Sequence, residues 1–168
     1  VTGVQTCALP ICAATRLPER DLVGVAKDQV AKVKATGAAG TIELEHRNRS
    51  DAKASYWAAP GSPDHNDPAE DWVEKAIALK STSYVQPEEV PTALEERLRL
   101  EVTDADNKVV TVVISEGTDA KGAKAWYAKS DHTRELVKVS SSQARDISED
   151  LGAILPGSTP AAPAAPET

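Results

Sequence analysis

Arg97-Leu98-Arg99-Leu100-Glu101-Val102 alternates charged and apolar side chains without a break. Successive side chains of an extended chain point to opposite faces, so this period of two is typical of a strand with one buried face. Asp104-Ala105-Asp106-Asn107 follows as a cluster of turn residues, and the stretch from Val109 to Ile114 is rich in β-branched residues. The three stretches together predict an antiparallel hairpin.

The same pattern occurs earlier in the chain. Thr41 to Arg47 places Ile42, Leu44 and His46 on one face and charged residues on the other. The preceding stretch from Val30 to Ala35 alternates small apolar residues with lysines, the apolar positions being Ala31, Val33 and Ala35. A glycine-flanked turn at 36–40 joins the two stretches, which predicts a second hairpin.

Two segments carry helix signals. Asp67 is predicted to cap a helix that has Pro68 in its first turn and Glu70 three residues after the cap, and that runs to about Lys80. Its apolar stripe consists of Trp72, Val73, Ala76, Ile77 and Leu79.

A second helix is predicted to open at Ser140-x-x-Gln143 and to close at Gly152 and Pro156. Ala144, Ile147 and Leu151 share its apolar face.

Further short strands are predicted at 54–58, 83–85, 123–129 and 136–139. The order is therefore strands, helix, strands, helix. Short connections between strands favour an α+β fold, with a mostly antiparallel sheet and both helices packed on one face.

The 168 residues suffice for one ordinary domain, and 40 % hydrophobic and 27 % charged residues are typical of a soluble folded chain. A formal charge of −7 argues against nucleic-acid binding, which requires a basic surface. No apolar run approaches the roughly 18 residues that would span a bilayer.

The first eleven residues are expected to have a different origin from the rest. Val1-Thr2-Gly3-Val4-Gln5-Thr6-Cys7-Ala8-Leu9-Pro10-Ile11 resembles the in-frame translation of a short-read sequencing adapter. We therefore expect residues 1–12 to be an artefact, 13–29 a lead-in with one short strand at Leu22-Val23, 30–155 a single α+β domain, and 156–168 a disordered tail rich in proline and alanine. Cys7 and Cys12 then carry no information about disulfides or metals.

Three polar clusters and one histidine are candidates for functional sites. Asp64-His65-Asn66-Asp67 is interpreted as a loop ending in a helix cap, and Asp104 to Asn107 as a hairpin turn rather than a calcium loop. Ser130-Asp131-His132 is interpreted as a solvated turn, and His46 as a partly buried edge histidine. The sequence thus indicates no catalytic residue, metal site or cofactor.

The aromatic residues leave one alternative open. Trp57, Trp126 and Tyr127 could form a ligand surface on which a small molecule or glycan stacks, whereas Trp72 belongs to the predicted core.

The order of motifs from Asp21 to Leu155 resembles the bacterial domain-of-unknown-function 4340 family. The resemblance is carried by Ile42 and Leu44, Trp57-Ala58-Ala59-Pro60, Pro68-Ala69-Glu70-Asp71, Leu98-x-Leu100-x-Val102, Ile114, and Trp126-Tyr127-Ala128-Lys129. Ala93 and Ser115 depart from it, because family members tend to carry glycine there.

This resemblance implies a non-enzymatic, extracytoplasmic domain behind an N-terminal membrane anchor, with protein partners such as ABC transporter components. The preferred hypothesis is accordingly an accessory or scaffolding module of a transport or envelope system that acts through its sheet surface. A glycan or small-ligand binding module, and a hydrolase whose site lies in missing N-terminal sequence, are the alternatives.

Overall fold

A computed structural model of the chain describes residues 20–86, 89–119 and 122–155. The predicted adapter-derived segment (1–12), the first part of the lead-in (13–19) and the tail rich in proline and alanine (156–168) lie outside these residues.

Within the described residues, eight strands form one antiparallel sheet, and two α-helices pack on one of its faces. The elements in chain order are β1 (Val30–Gly37), β2 (Gly40–Arg47), β3 (Tyr56–Ala58), α1 (Asp67–Ile77), β4 (Ser81–Tyr84), β5 (Leu94–Asp104), β6 (Val109–Thr118), β7 (Lys124–Ser130), β8 (Val137–Val139) and α2 (Ser141–Ile154). The predicted α+β class and the order of strands and helices are confirmed.

The sheet consists of two meanders that diverge from one pair of neighbouring strands. Its strand order is β3-β2-β1-β5-β6-β7-β8-β4, so β1 and β5 join the two meanders and pair antiparallel, with Ala35 opposite Leu100. The first meander proceeds outward through β2 to β3, and the second proceeds through β6 and β7 to β8. Both predicted hairpins are present, closed by the pairs Gly37–Gly40 and Thr103–Val109.

The first strand differs from its prediction at its start. A shift in the pairing with β5 occurs between Val30 and Lys32, and it buries Val30 while leaving Ala31 only half-buried. The bulge adds one residue to the strand, and this changes which side chain faces the core. Val33 and Ala35 are buried as predicted.

Helix α1 begins one residue earlier and ends three residues sooner than predicted. The cap is Asn66 rather than Asp67, because the Asn66 side chain accepts the backbone N–H of Ala69 at 3.1 Å. The helix ends at Ile77, since Lys80 already pairs with Asp21 in an isolated β-bridge.

Helix α2 runs through Gly152 to Ile154, so the prediction that Gly152 closes it is wrong. The cap position is Ser140 as expected, but its hydroxyl contacts Ser142 Oγ at 3.1 Å and forms no capping hydrogen bond to the backbone. The two helices are joined by a buried hydrogen bond of 2.9 Å from Trp72 Nε1 to the carbonyl of Ile147.

One continuous core lies between the helices and the sheet. Leu22 and Val23 belong to this core, although only the neighbouring Asp21 forms a β-bridge and the predicted short strand there is absent. Gly24 has a φ of +65°, and a Cβ placed there would meet the ring of His132 at 2.5 Å. Glycine therefore lets the lead-in pack directly on the turn after β7.

Candidate functional site

The face of the sheet opposite the helices is its open face, and ion pairs dominate its β1–β2 side. Lys32 Nζ lies 3.0 Å from Glu45 Oε1, Arg47 Nη2 lies 2.6 Å from Glu45 Oε2, and Lys34 Nζ lies 3.2 Å from Glu101 Oε2. The hydrogen bond from Lys32, together with the charge of Arg47, lowers the pKa of Glu45 from its ordinary value. The two lysine pairs join neighbouring strands, whereas Arg47 and Glu45 both lie on β2, and all five side chains are compensated.

The β5–β7 side of the open face has a different character, because it holds a depression of about 420 Å³. We call this the open-face depression; its lining residues are Leu94, Arg99, Thr111, Val113, Ser115, Lys129, Ser130, Asp131 and Leu136. Leu94 is 44 % exposed, whereas the other leucines of β2 and β5 (Leu44, Leu98 and Leu100) are buried. The depression therefore offers apolar surface framed by polar and cationic side chains.

The charged groups of the depression differ in whether they have a partner. Arg99 donates from Nε and Nη2 to the two carboxylate oxygens of Glu96, at 2.9 and 2.8 Å, and this contact raises the pKa of Arg99. Asp131 Oδ2 accepts the backbone N–H of Thr111 at 2.8 Å. The ammonium of Lys129, by contrast, forms no ion pair with any residue that the structure describes. Lys129 is thus an uncompensated cation beside apolar surface.

The predicted turn at Ser130-Asp131-His132 is present next to this depression. The Ser130 hydroxyl donates to Thr133 Oγ1 at 3.1 Å, and the backbone N–H of Arg134 donates to the Ser130 carbonyl at 2.8 Å. Since these groups close the turn, and the Asp131 carboxylate holds the β6 backbone, the hydroxyl and the carboxylate have structural roles here.

The three aromatic residues named as a ligand surface are buried. Trp57 is 1 %, Trp126 9 % and Tyr127 0 % exposed, so they form no open stacking surface. They are also apart, because Trp57 lies on edge strand β3, whereas Trp126 and Tyr127 are consecutive on β7 and point to opposite faces. The prediction of exposed aromatics is therefore wrong.

Each buried ring has its own structural setting. Trp57 stacks on His46 with ring centroids 4.6 Å apart, and His46 Nδ1 contacts the Val30 carbonyl at 3.0 Å. His46 is partly buried as predicted, but it is not at the edge, because β3 pairs outside it. The Tyr127 hydroxyl is buried with no hydrogen-bond partner among the described residues, and burial raises its pKa.

Trp126 also forms part of a second concavity, the α2 groove, of about 580 Å³. Its other lining residues are Ala38, Arg97, Glu116, Lys124, Ser141, Arg145, Ser148 and Glu149. Arg97 donates to Glu116 Oε2 through Nε at 3.1 Å and Nη2 at 2.6 Å, and Lys124 lies 3.1 Å from Glu116 Oε1. The hydrogen bond from Arg97, followed by that from Lys124, lowers the pKa of Glu116.

The sequence pattern did not reveal this charge cluster. Strict alternation places Arg97 beside Arg99 on the polar face, but the pairing of β5 with β6 shifts between Glu96 and Leu98. This bulge lets Arg97 reach Glu116, which pairs with Trp126 on the neighbouring strand. Because a bulge leaves no periodic signal, only the structure shows the contact.

The remaining polar clusters are local structure. His65 Nδ1 lies 3.1 Å from Asp67 Oδ1 and Nε2 lies 2.9 Å from Glu70 Oε2, at the start of α1. Asp104 Oδ1 accepts two backbone N–H groups of its hairpin turn. Across residues 20–86, 89–119 and 122–155, no three histidine, cysteine or carboxylate side chains are grouped to hold a metal ion.

The chain matches none of the family models, curated proteins or solved structures with which it was compared. Neither described helix is long and apolar enough to span a membrane.

Proposed function

We propose that this chain is a non-enzymatic, extracytoplasmic accessory or scaffolding module of an ABC-type transport or envelope system, and that it contacts a protein partner through the open-face depression. The transport setting, and the membrane anchor that goes with it, rest on the resemblance of the motifs to the domain-of-unknown-function 4340 family. The contact surface rests on the structure of the open face.

The observation that carries the contact surface is the exposed leucine and uncompensated lysine of the open-face depression. Leu94 is the large apolar side chain exposed at its margin, and Lys129 is its cation without an ion-pair partner in the described chain. Apolar surface rimmed by polar groups on an otherwise charged face is typical of protein interaction sites. The hydroxyl and carboxylate groups there hold the backbone, which favours binding over catalysis.

Site-specific photo-crosslinking tests this proposal. A photoreactive amino acid is placed at Val113, inside the depression, and in a second protein at Asp71, on the exposed side of α1. Both are expressed as the full-length protein in a bacterium that carries the neighbouring genes. We expect crosslinking from position 113, but not from 71, to a transporter or envelope subunit.

Equal crosslinking from both positions would contradict the proposed surface. A gene neighbourhood without any transporter or envelope gene would contradict the proposed setting while leaving the surface itself to be judged by the crosslinks.

A further inference from the structure

Strand β2 is paired with β1 along most of its length, but its other side is paired only near its end. Its inner side pairs with β1 from Gly40 to Glu45, whereas its outer side pairs with β3 only from Glu45 to Arg47. Within the described chain, residues 40–44 therefore have no partner strand on the outer side.

The hairpin register shows which backbone groups face outward. Gly37 and Gly40 close a two-residue turn, and in such a hairpin the closing pair exchanges hydrogen bonds and every second pair thereafter does so too. The N–H and C=O groups of Thr41 and Glu43 consequently point away from β1. Neither residue forms a backbone hydrogen bond with a loop or turn that the structure describes.

This edge lacks most of the features that usually protect an edge strand and keeps one exposed charge, that of Glu43. The segment Thr41-Ile42-Glu43-Leu44 contains no proline and no lysine, and its register with β1 has no bulge. Ile42 and Leu44 are buried in the core, so the strand is held in a regular extended conformation while its outer edge stays available. Regular open edges of this kind accept an added strand.

Charge indicates which strand would fit. Glu45 is compensated by Lys32 and Arg47, but the exposed carboxylate of Glu43 has no ion pair among the described residues. The chain as a whole carries a formal charge of −7, which disfavours a second copy of itself and favours a basic partner.

We infer that the outer edge of β2 at Thr41 and Glu43 binds an extended segment of a partner protein by strand addition, with a lysine or arginine side chain beside Glu43. The backbone N–H and C=O groups would supply the contacts that do not depend on partner sequence, and Glu43 the preference for a basic residue. This edge is separate from the open-face depression, so the inference does not depend on the proposed function.

The probe is a seven-residue peptide of alternating threonine and valine with one central lysine, added to the ¹⁵N-labelled chain. We expect saturable NMR shift changes centred on the Thr41 and Glu43 amides, and hydrogen exchange there slowed by about tenfold at saturation. A peptide N-methylated at alternate residues, which cannot donate to the edge, is expected not to bind.

Three variants make the test specific. Thr41→Pro removes an outward N–H without removing a bond to β1, and should abolish binding. Glu43→Lys should lower the affinity for the lysine peptide by about fivefold and raise the affinity for the peptide with glutamate in its place. Asp106→Lys makes the same charge change on the β5–β6 turn and should leave both affinities unchanged.

Binding that survives N-methylation, or that is unaffected by Glu43→Lys, would overturn the inference, as would the absence of any shift at Thr41 and Glu43. A dimer in sedimentation that Thr41→Pro dissociates would assign the edge to a second copy and would overturn the basic partner strand.

Discussion

The two faces of the sheet are built from the same strands but held by different forces. On the helix-covered face, Leu98, Leu100 and Ile114 are at most 1 % exposed and share one core with Trp72. On the open face, the neighbouring side chains Arg99, Glu101 and Val113 are only half-buried. The alternating pattern therefore specifies both faces at once. We expect stability to depend mainly on the covered face and partner binding on the open face.

The largest expected effect compares one truncation on each face. Leu100→Ala leaves a cavity in the core and should lower the free energy of unfolding by about 3 kcal/mol. Val113→Ala, on the open face, should lower it by less than about 1 kcal/mol. Urea denaturation of both variants measures the contrast, and equal losses would show that the open face is packed against something in the folded protein.

Trp72→Phe tests how the helices are attached to each other over the covered face. It removes the hydrogen bond from Nε1 to the Ile147 carbonyl and part of a buried ring, so we expect a loss of about 2 kcal/mol. Thermal unfolding followed by circular dichroism provides the measurement. A loss under about 0.5 kcal/mol would mean that this contact contributes little to the attachment of the helices.

Acid titration compares the ion pairs of the two faces. The pKa values of Glu45, on the open face, and Glu116, in the α2 groove, are both lowered in the folded chain. The stability that these two ionised carboxylates contribute is therefore present above their unfolded-state pKa of about 4.3. It is lost as the pH falls through their lower pKa in the folded state.

Glu45→Gln and Glu116→Gln should each destabilise the protein at pH 7 by about 1 kcal/mol or less, and the deficit should shrink below about pH 4.5. Unfolding curves between pH 7 and pH 3 give the comparison. A deficit that grows on acidification would have the wrong sign for both carboxylates.

The smallest effect is expected at Lys129. Because its ammonium forms no ion pair within the described chain, Lys129→Gln should change the free energy of unfolding by no more than about 0.5 kcal/mol. The same substitution should weaken the binding of the partner that is crosslinked from position 113. Weaker binding at unchanged stability would identify Lys129 as a binding residue. A clear loss of stability would assign Lys129 to the fold instead.

Most of the fold could be predicted from the sequence because it depends on local periodicity. The alternation in β2 and β5, and the apolar stripes of α1 and α2, were enough to establish the hairpins and the covered face. The predicted facing of side chains fails where one residue interrupts the alternation. Shifts in pairing after Val30 and after Glu96 change the direction of the Ala31 and Arg97 side chains. The cap at Asn66 was missed because Asp67 carries an equally suitable side chain.

The candidate site was much less predictable, for a physical reason. The open-face depression brings together Leu94, Val113, Lys129 and Leu136, which belong to three strands and a loop and share no sequence signal. The prediction of an exposed aromatic surface was wrong because the residue type alone does not indicate whether a ring is buried. Trp57 is covered through a stack with His46, and Tyr127 is buried although it lies on the other face of β7 from Trp126; neither outcome is local in sequence.

The pairing of β1 with β5, which joins the two meanders, also has a consequence for the order of folding. The hairpins β1–β2, β5–β6 and β6–β7 join residues that are close in sequence, whereas the β1–β5 ladder joins segments separated by β2, β3, α1 and β4. Closing so long a loop costs entropy before any contact compensates for it. The local hairpins should therefore form early, and the meeting of Ala35 with Leu100 should limit the folding rate and make the two halves fold as one cooperative unit.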